Sequence, residues 1–180
     1  MTWRTHVAIG TNAIWLAGFL GKVDESILVL LPTAVLASIL PDIDAVSAKI
    51  HYVGGGVFGI FKNSFHGKYF HHRGLMHSIL ATVILFVILL ILFKNSHPML
   101  PFVFALAYFS HTVIDGFNTK VGYLYPFVYK RFSLLPQPLL FRVGSAADTI
   151  LMFLGLSGIL IFFALFKDYL IPTGATPFGY

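Results

Sequence analysis

Apolar residues gather into five blocks, at about 6 to 20, 26 to 40, 75 to 93, 98 to 114 and 149 to 166. Two long interruptions, roughly 41 to 74 and 115 to 148, carry most of the polar chemistry. A membrane-spanning helix needs roughly 20 residues, within about 17–25, and none of the blocks exceeds about 19. The first two are therefore marginal spans or a tilted helical hairpin. The third is the clearest, because Ile79 to Phe93 is apolar apart from Thr82. This pattern predicts an all-α integral membrane helical bundle of about five apolar helices. It forms a single domain over 1–170, followed by a loose tail at 171–180 that contains Pro172, Gly174, Pro177 and Gly179.

Composition supports the bilayer as solvent. The chain is 57% hydrophobic and only 11% charged, against about 25% charged in ordinary soluble domains, and its mean hydropathy is +0.84. A soluble globule, a disordered chain, a coiled coil and a collagen are all excluded by these values. With no cysteine, a disulfide framework, a cysteine zinc site and a cysteine nucleophile are excluded as well. The opening Met-Thr-Trp-Arg-Thr-His has no small-x-small cleavage site after it, and is expected to stay in the protein.

The net charge of +5 acquires meaning from its distribution. If all five blocks cross, Arg4, Lys49, Lys62, Lys68, Arg73, Lys120, Lys130, Arg131 and Arg142 share one side, against Lys22, Lys94 and Lys167 on the other. The positive-inside rule then makes the side with the two long loops cytoplasmic.

Ionisable groups in or beside membrane segments are costly and point to function. His6 opens the first block, Asp42 and Asp44 close the second, His72 and His77 open the third, and His111 and Asp115 close the fourth. The topology drawn from Lys and Arg alone places all of them at one membrane face. His111 and Asp115 are four apart, about 40° of helical rotation, so an imidazole and a carboxylate face the same way. Asp42 and Asp44 follow Pro41, and in an extended segment both carboxylates would point to one side. His72 is expected in the loop and His77 in the first turn of the third helix. Mixed imidazole and carboxylate donors suit zinc, manganese or iron rather than an all-oxygen calcium site. His6, Asp42, Asp44, His72, His77, His111 and Asp115 are thus candidate ligands for one or two divalent metal ions. Two ions sharing a carboxylate would use so many donors. Asp148 reads as structural, because Ser145-Ala-Ala-Asp148 before an apolar run resembles a capping box.

Leu40-Pro-Asp-Ile-Asp44, His72-Arg-Gly-Leu-Met-His-Ser78 and Ser110-His-Thr-Val-Ile-Asp115, in that order between apolar helices, resemble the YdjM-like family of bacterial inner-membrane metal-dependent hydrolases. The ligand order is also similar to that of the soluble zinc-dependent phospholipase C and its single-strand nuclease relatives. That resemblance implies a phosphoester hydrolase with His6, Asp42, His72, His111 and Asp115 at the matching positions. No counterpart of their later His and Glu ligands is found, and Trp3 is not N-terminal, so the resemblance implies one or two ions rather than three.

A phosphate substrate needs positive charge beside the metal. Arg73 sits between the paired histidines, and Lys130, Arg131 and Arg142 lie in the other loop on that face. Arg73 and Arg131 are the candidate anion-binding catalytic residues, and Asp44 is the candidate general base if Asp42 bridges. No Gly-x-Ser-x-Gly elbow supports serine hydrolysis, and Gly54-Gly-Gly56 lacks the Lys-Ser/Thr of a phosphate-binding loop. The expectation is an inner-membrane, multi-pass hydrolase with its site facing the cytoplasm, membrane lipids as partners, and a lipid or lipid-linked phosphoester as substrate. A nuclease would need a basic, base-stacking groove, and a structural metal site would saturate its coordination; these are the alternatives.

Overall fold

The computed structural model describes residues 1–20, 27–44 and 73–170. It is an all-α bundle: α1 (Trp3–Gly10), α2 (Ala13–Leu20), α3 (Ile27–Ile39), α4 (Ile79–Phe93), α5 (Leu100–Asn118) and α6 (Ala146–Leu170). Short 3₁₀ turns sit at Leu40–Asp44, Leu75–His77 and Gln137–Leu139. Among the described residues the only β pairing is an isolated bridge between Val121 and Phe132.

The first apolar block forms two helices rather than one. Thr11 Oγ1 and Asn12 Nδ2 both donate to the Ala8 carbonyl, at 3.1 and 2.8 Å. Side chains that bond nearby carbonyls in this way compete with the helix ladder, and the chain turns at Thr11–Asn12. Asn12 Nδ2 also donates to the Gly155 carbonyl at 2.9 Å, while its Oδ1 accepts from Trp15 Nε1 at 2.7 Å. One amide therefore joins α1, α2 and α6, the kind of polar contact that links helices in apolar surroundings.

α5 is the centre of the bundle and packs on α1, α2, α3 and α4, while α6 lies against α1. The shared core contains Ile14, Leu30, Val103 and Tyr108, and small Ala34, Ala37 and Ala107 let the backbones approach. The outer faces are as apolar as the core: Ile91, Leu92, Leu154 and Leu165 are each more than 60% exposed. Water would oppose such a surface, whereas lipid accommodates it.

Two helices, Leu100–Asn118 and Ala146–Leu165, are long and apolar enough to cross a membrane by length and composition. Only 17% of the apolar window in the latter is buried, so α6 faces outward over most of its surface. The third apolar block is shorter as a helix than its sequence suggests. Ser78 accepts from the Ala81 amide at 3.1 Å as N-cap, and the residues before it form the Leu75–His77 turn. The 15 residues of α4 extend about 22 Å at 1.5 Å per residue. The tail at 171–180 lies outside the described residues.

Candidate metal centre

α5 supplies the foundation of the site. One turn apart on its inner face, His111 and Asp115 are fully buried, as their four-residue spacing requires. The 3₁₀ turn after α3 carries Asp42 towards them. It replaces the extended segment expected around Asp42, so the relation of Asp42 to Asp44 is that of a tight turn instead. The turn before α4 brings in His77, which is also fully buried.

Asp42, His77, His111 and Asp115 each offer a donor atom, and these four atoms lie within 4.8 Å of one another. Asp42 Oδ1 is 3.4 Å from His111 Nε2 and 3.6 Å from His77 Nε2. Asp115 Oδ2 is 3.7 Å from His77 Nε2. On its other side, Asp115 Oδ1 is 3.3 Å from His6 Nε2 and 3.1 Å from the Met1 amine. The His6 ring stacks on His111, with centroids 3.8 Å apart and planes at 17°. Elements from four parts of the sequence thus converge at one end of the bundle.

The environments of His111, His6 and Asp42 favour a cation. His111 Nδ1 lies 2.6 Å from the Ser38 carbonyl oxygen, a contact that keeps the proton on Nδ1 and turns the lone pair of Nε2 into the cluster. That Nε2 and both ring nitrogens of His6 have no hydrogen-bond partner among the described residues. Leaving such a buried group unsatisfied costs about 1–3 kcal/mol; a metal at His111 Nε2 would remove that cost there. The donor set of two carboxylates and imidazoles fits zinc, manganese or iron. Burial would raise the Asp42 carboxyl, but the neighbouring His111 and His77 rings outweigh it and hold the group well below the usual carboxylate range. It is therefore ionised at neutral pH and ready to ligate.

Arg73 closes the site from the loop side. Its Nε donates to Asp115 Oδ2 at 2.8 Å, and its side chain is 26% exposed. Its backbone is left-handed, at φ 64°, a conformation that costs a non-glycine residue about 1–2 kcal/mol. The surroundings enforce it: the Gly122 amide donates to the Arg73 carbonyl at 3.0 Å, and a Cβ on Gly122 would come within 3.2 Å of that oxygen. Strained residues held by their neighbours concentrate at functional sites. Beside the cluster, Tyr123 donates to the Thr112 carbonyl at 3.4 Å. Burial and the Asp115 charge push its phenol up to about 12, so it stays protonated.

His72 lies outside the described residues, as does the side chain of Asp44, the expected base. Arg131 is exposed in the loop between α5 and α6. Asp148 is structural, as the capping-box pattern implies. Its Oδ2 accepts from the amides of Gly144 at 2.8 Å and Thr2 at 3.1 Å, its Oδ1 accepts from Thr5 Oγ1, and its own amide meets Ser145 Oγ at 3.4 Å. One carboxylate thus caps the starts of both α1 and α6.

Sequence reasoning missed Ser38 and Gly10. Ser38 acts through its main-chain carbonyl, for which no side chain gives a signal. A Cβ on Gly10 would overlap the Ser38 Cβ, so the absent side chain of Gly10 sets how closely α1 approaches α3. The run Gly10-Thr11-Asn12 inside an apolar block was the available sign of a close crossing.

No curated protein and no solved structure matches the chain. The model of the YdjM inner membrane protein family matches residues 1–175, a span that contains every residue of the cluster. With its apolar outer faces and its helix ends gathered round carboxylates and imidazoles, the chain belongs to the YdjM inner membrane protein family.

Proposed function

We propose that the protein is a multi-pass, membrane-bound metal-dependent hydrolase that cleaves a phosphoester of a lipid or lipid-linked substrate at the cytoplasmic face. The observation that carries this reading is the convergence of four ligand atoms from Asp42, His77, His111 and Asp115 within 4.8 Å, at helix ends where a headgroup can arrive. Zinc is the preferred ion on donor chemistry, and the reading of one or two ions is supported by the two oxygens of Asp115 facing different imidazoles. A divalent ion bound there would supply a Lewis acid that activates water near neutral pH and neutralises charge on a phosphoryl oxygen.

The chain's own residues do the rest. Ser38 fixes the His111 tautomer, and Arg73 holds the orientation of Asp115 through Nε. With Nε so engaged, the Nη groups of Arg73 can meet an anionic phosphoryl oxygen in the forked geometry that guanidinium favours. Asp44, at the end of the Asp42 turn, is the proposed general base. The cytoplasmic orientation rests on the nine-to-three distribution of basic residues, and nucleic acid is disfavoured as substrate because a site at membrane-helix ends meets headgroups first.

The test is purification in detergent with metal analysis, chelation and reloading, followed by a screen of phospholipids, lysolipids and polyprenyl phosphates. Chelator-sensitive hydrolysis restored by zinc or manganese is expected. Cleavage of single-stranded nucleic acid alone would transfer the reading to a nuclease. Bound metal with no hydrolysis of any of these substrates would favour a structural centre.

A further inference from the structure

The segment from Tyr123 to Phe132 leaves large apolar side chains in the open: Phe127 is 79% exposed and Tyr129 67%. Lys130 and Arg131 follow them directly and are also exposed. The segment is firmly built. Val121 and Phe132 exchange backbone hydrogen bonds at 2.7 and 2.9 Å, and the Val128 amide donates to the Leu124 carbonyl at 3.0 Å. The rings of Tyr125 and Tyr129 meet edge to face at 4.9 Å, and Lys130 Nζ stands 5.7 Å from the Phe132 ring centroid.

Its attachment fixes its depth. The amide of Ile79, the first residue of apolar α4, donates to the Tyr123 carbonyl at 3.0 Å, and Leu134 donates to the Gly116 carbonyl near the end of α5 at 2.8 Å. A segment within one hydrogen bond of the first residue of an apolar membrane helix lies at the boundary between hydrocarbon and water. At that depth exposed aromatic rings and neighbouring basic groups have complementary surroundings, acyl boundary for the rings and headgroup phosphates for the cations.

We infer that Tyr123–Phe132 is an interfacial anchor that inserts Phe127 and Tyr129 at headgroup level and holds anionic phospholipid headgroups with Lys130 and Arg131. The anchor shares its end of the bundle with the metal cluster, through Arg73 and Gly122. It goes beyond the catalytic reading and stands whether or not the cluster hydrolyses anything.

Because the chain has no cysteine, Phe127→Cys can be labelled uniquely with an environment-sensitive NBD fluorophore on the full-length protein. The labelled protein is placed in nanodiscs of phosphatidylcholine, alone or mixed with phosphatidylglycerol. A blue-shifted emission is expected, quenched more strongly by spin labels near the headgroup than by labels deep in the acyl chain, and larger in the anionic discs. Adding Lys130→Glu and Arg131→Glu should lower the docked-to-undocked ratio in anionic discs by at least roughly 30-fold, about 5-fold for each basic residue removed from an anionic surface, before the repulsion of the added carboxylates. Water-like emission quenched by aqueous iodide in both discs would overturn the anchor. A blue shift in detergent that grows with protein concentration would overturn it in favour of a second copy covering this face. A shift equal in both discs and unmoved by the charge reversals would overturn the assignment to anionic headgroups. Phe127 is almost free of packing, so its replacement leaves the fold in place; monodisperse elution of the labelled protein checks this.

Discussion

The carbonyl oxygen of Ser38 stands 2.6 Å from Nδ1 of His111, so a main-chain group of α3 determines which nitrogen of an α5 imidazole faces the ligand cluster. Gly10 is what lets α1 close on this pair, since any Cβ there would collide with that of Ser38. Gly10→Val should push α3 away from α1 and loosen the hold on His111. Metal affinity should fall by about 10–100-fold, the range typical when an outer-shell partner of a ligand is disturbed, while the protein still inserts. Metal content measured against a graded chelator series checks this; unchanged affinity would mean that Ser38 does not orient the ring.

Removal of the ligands themselves should be more severe. His111→Ala and Asp42→Ala are each expected to lose bound metal in purified protein while remaining membrane-inserted, because the apolar helices are untouched. Full metal content in both variants, by elemental analysis, would show that the cluster does not hold the ion.

Arg73 allows its backbone and its charge to be separated. Arg73→Ala and Arg73→Gly both remove the guanidinium, and each should lower turnover by a factor on the order of 10²–10³, as for a lost transition-state contact. Glycine alone relieves the left-handed backbone at φ 64°. Arg73→Gly should therefore be the more stable of the two by about 0.5–1 kcal/mol net, the relief of about 1–2 kcal/mol less the entropic cost of glycine of about 0.5–1 kcal/mol. Paired thermal melts of the two variants decide the point.

Acid should strip the metal in a defined order. Neighbouring imidazoles keep Asp42 ionised well below the usual carboxylate range, so this carboxylate does not limit binding under mild acidity. Imidazoles must be neutral to ligate, so protons compete with the ion for these rings. Metal affinity should fall as pH drops below neutrality, with a slope approaching two protons per ion for His77 and His111. An affinity that does not change between pH ~7 and ~5 would exclude imidazole ligands.

Much of this site was legible because helices translate spacing into direction. His111 and Asp115 could be paired from a four-residue interval, and Asp148 could be read as a cap from Ser145 three residues earlier. Asp42 stood out because it follows an apolar run and Pro41. What the sequence concealed was local geometry set by contacts between distant elements. The tight turn at Asp42 packs against the His77 turn, a neighbour that no local pattern names. The break between α1 and α2 depends on Asn12 reaching Gly155 as well as Ala8. Arg73 was expected to face substrate, and its bond to Asp115 arises only once α5 is in place.

The clasp formed by Asp148 on Thr2 and Thr5 also bears on the order of manufacture. His6 leaves the ribosome long before the carboxylate that fastens its helix, which is made more than 140 residues later. A nascent chain paused before Asp148 would hold His111 and Asp115 already, with the start of α1 still unfastened. If the cluster binds metal as proposed, its loading in final form is a late event of synthesis, and a ribosome-stalled chain ending before α6 should take up less metal than one that includes it.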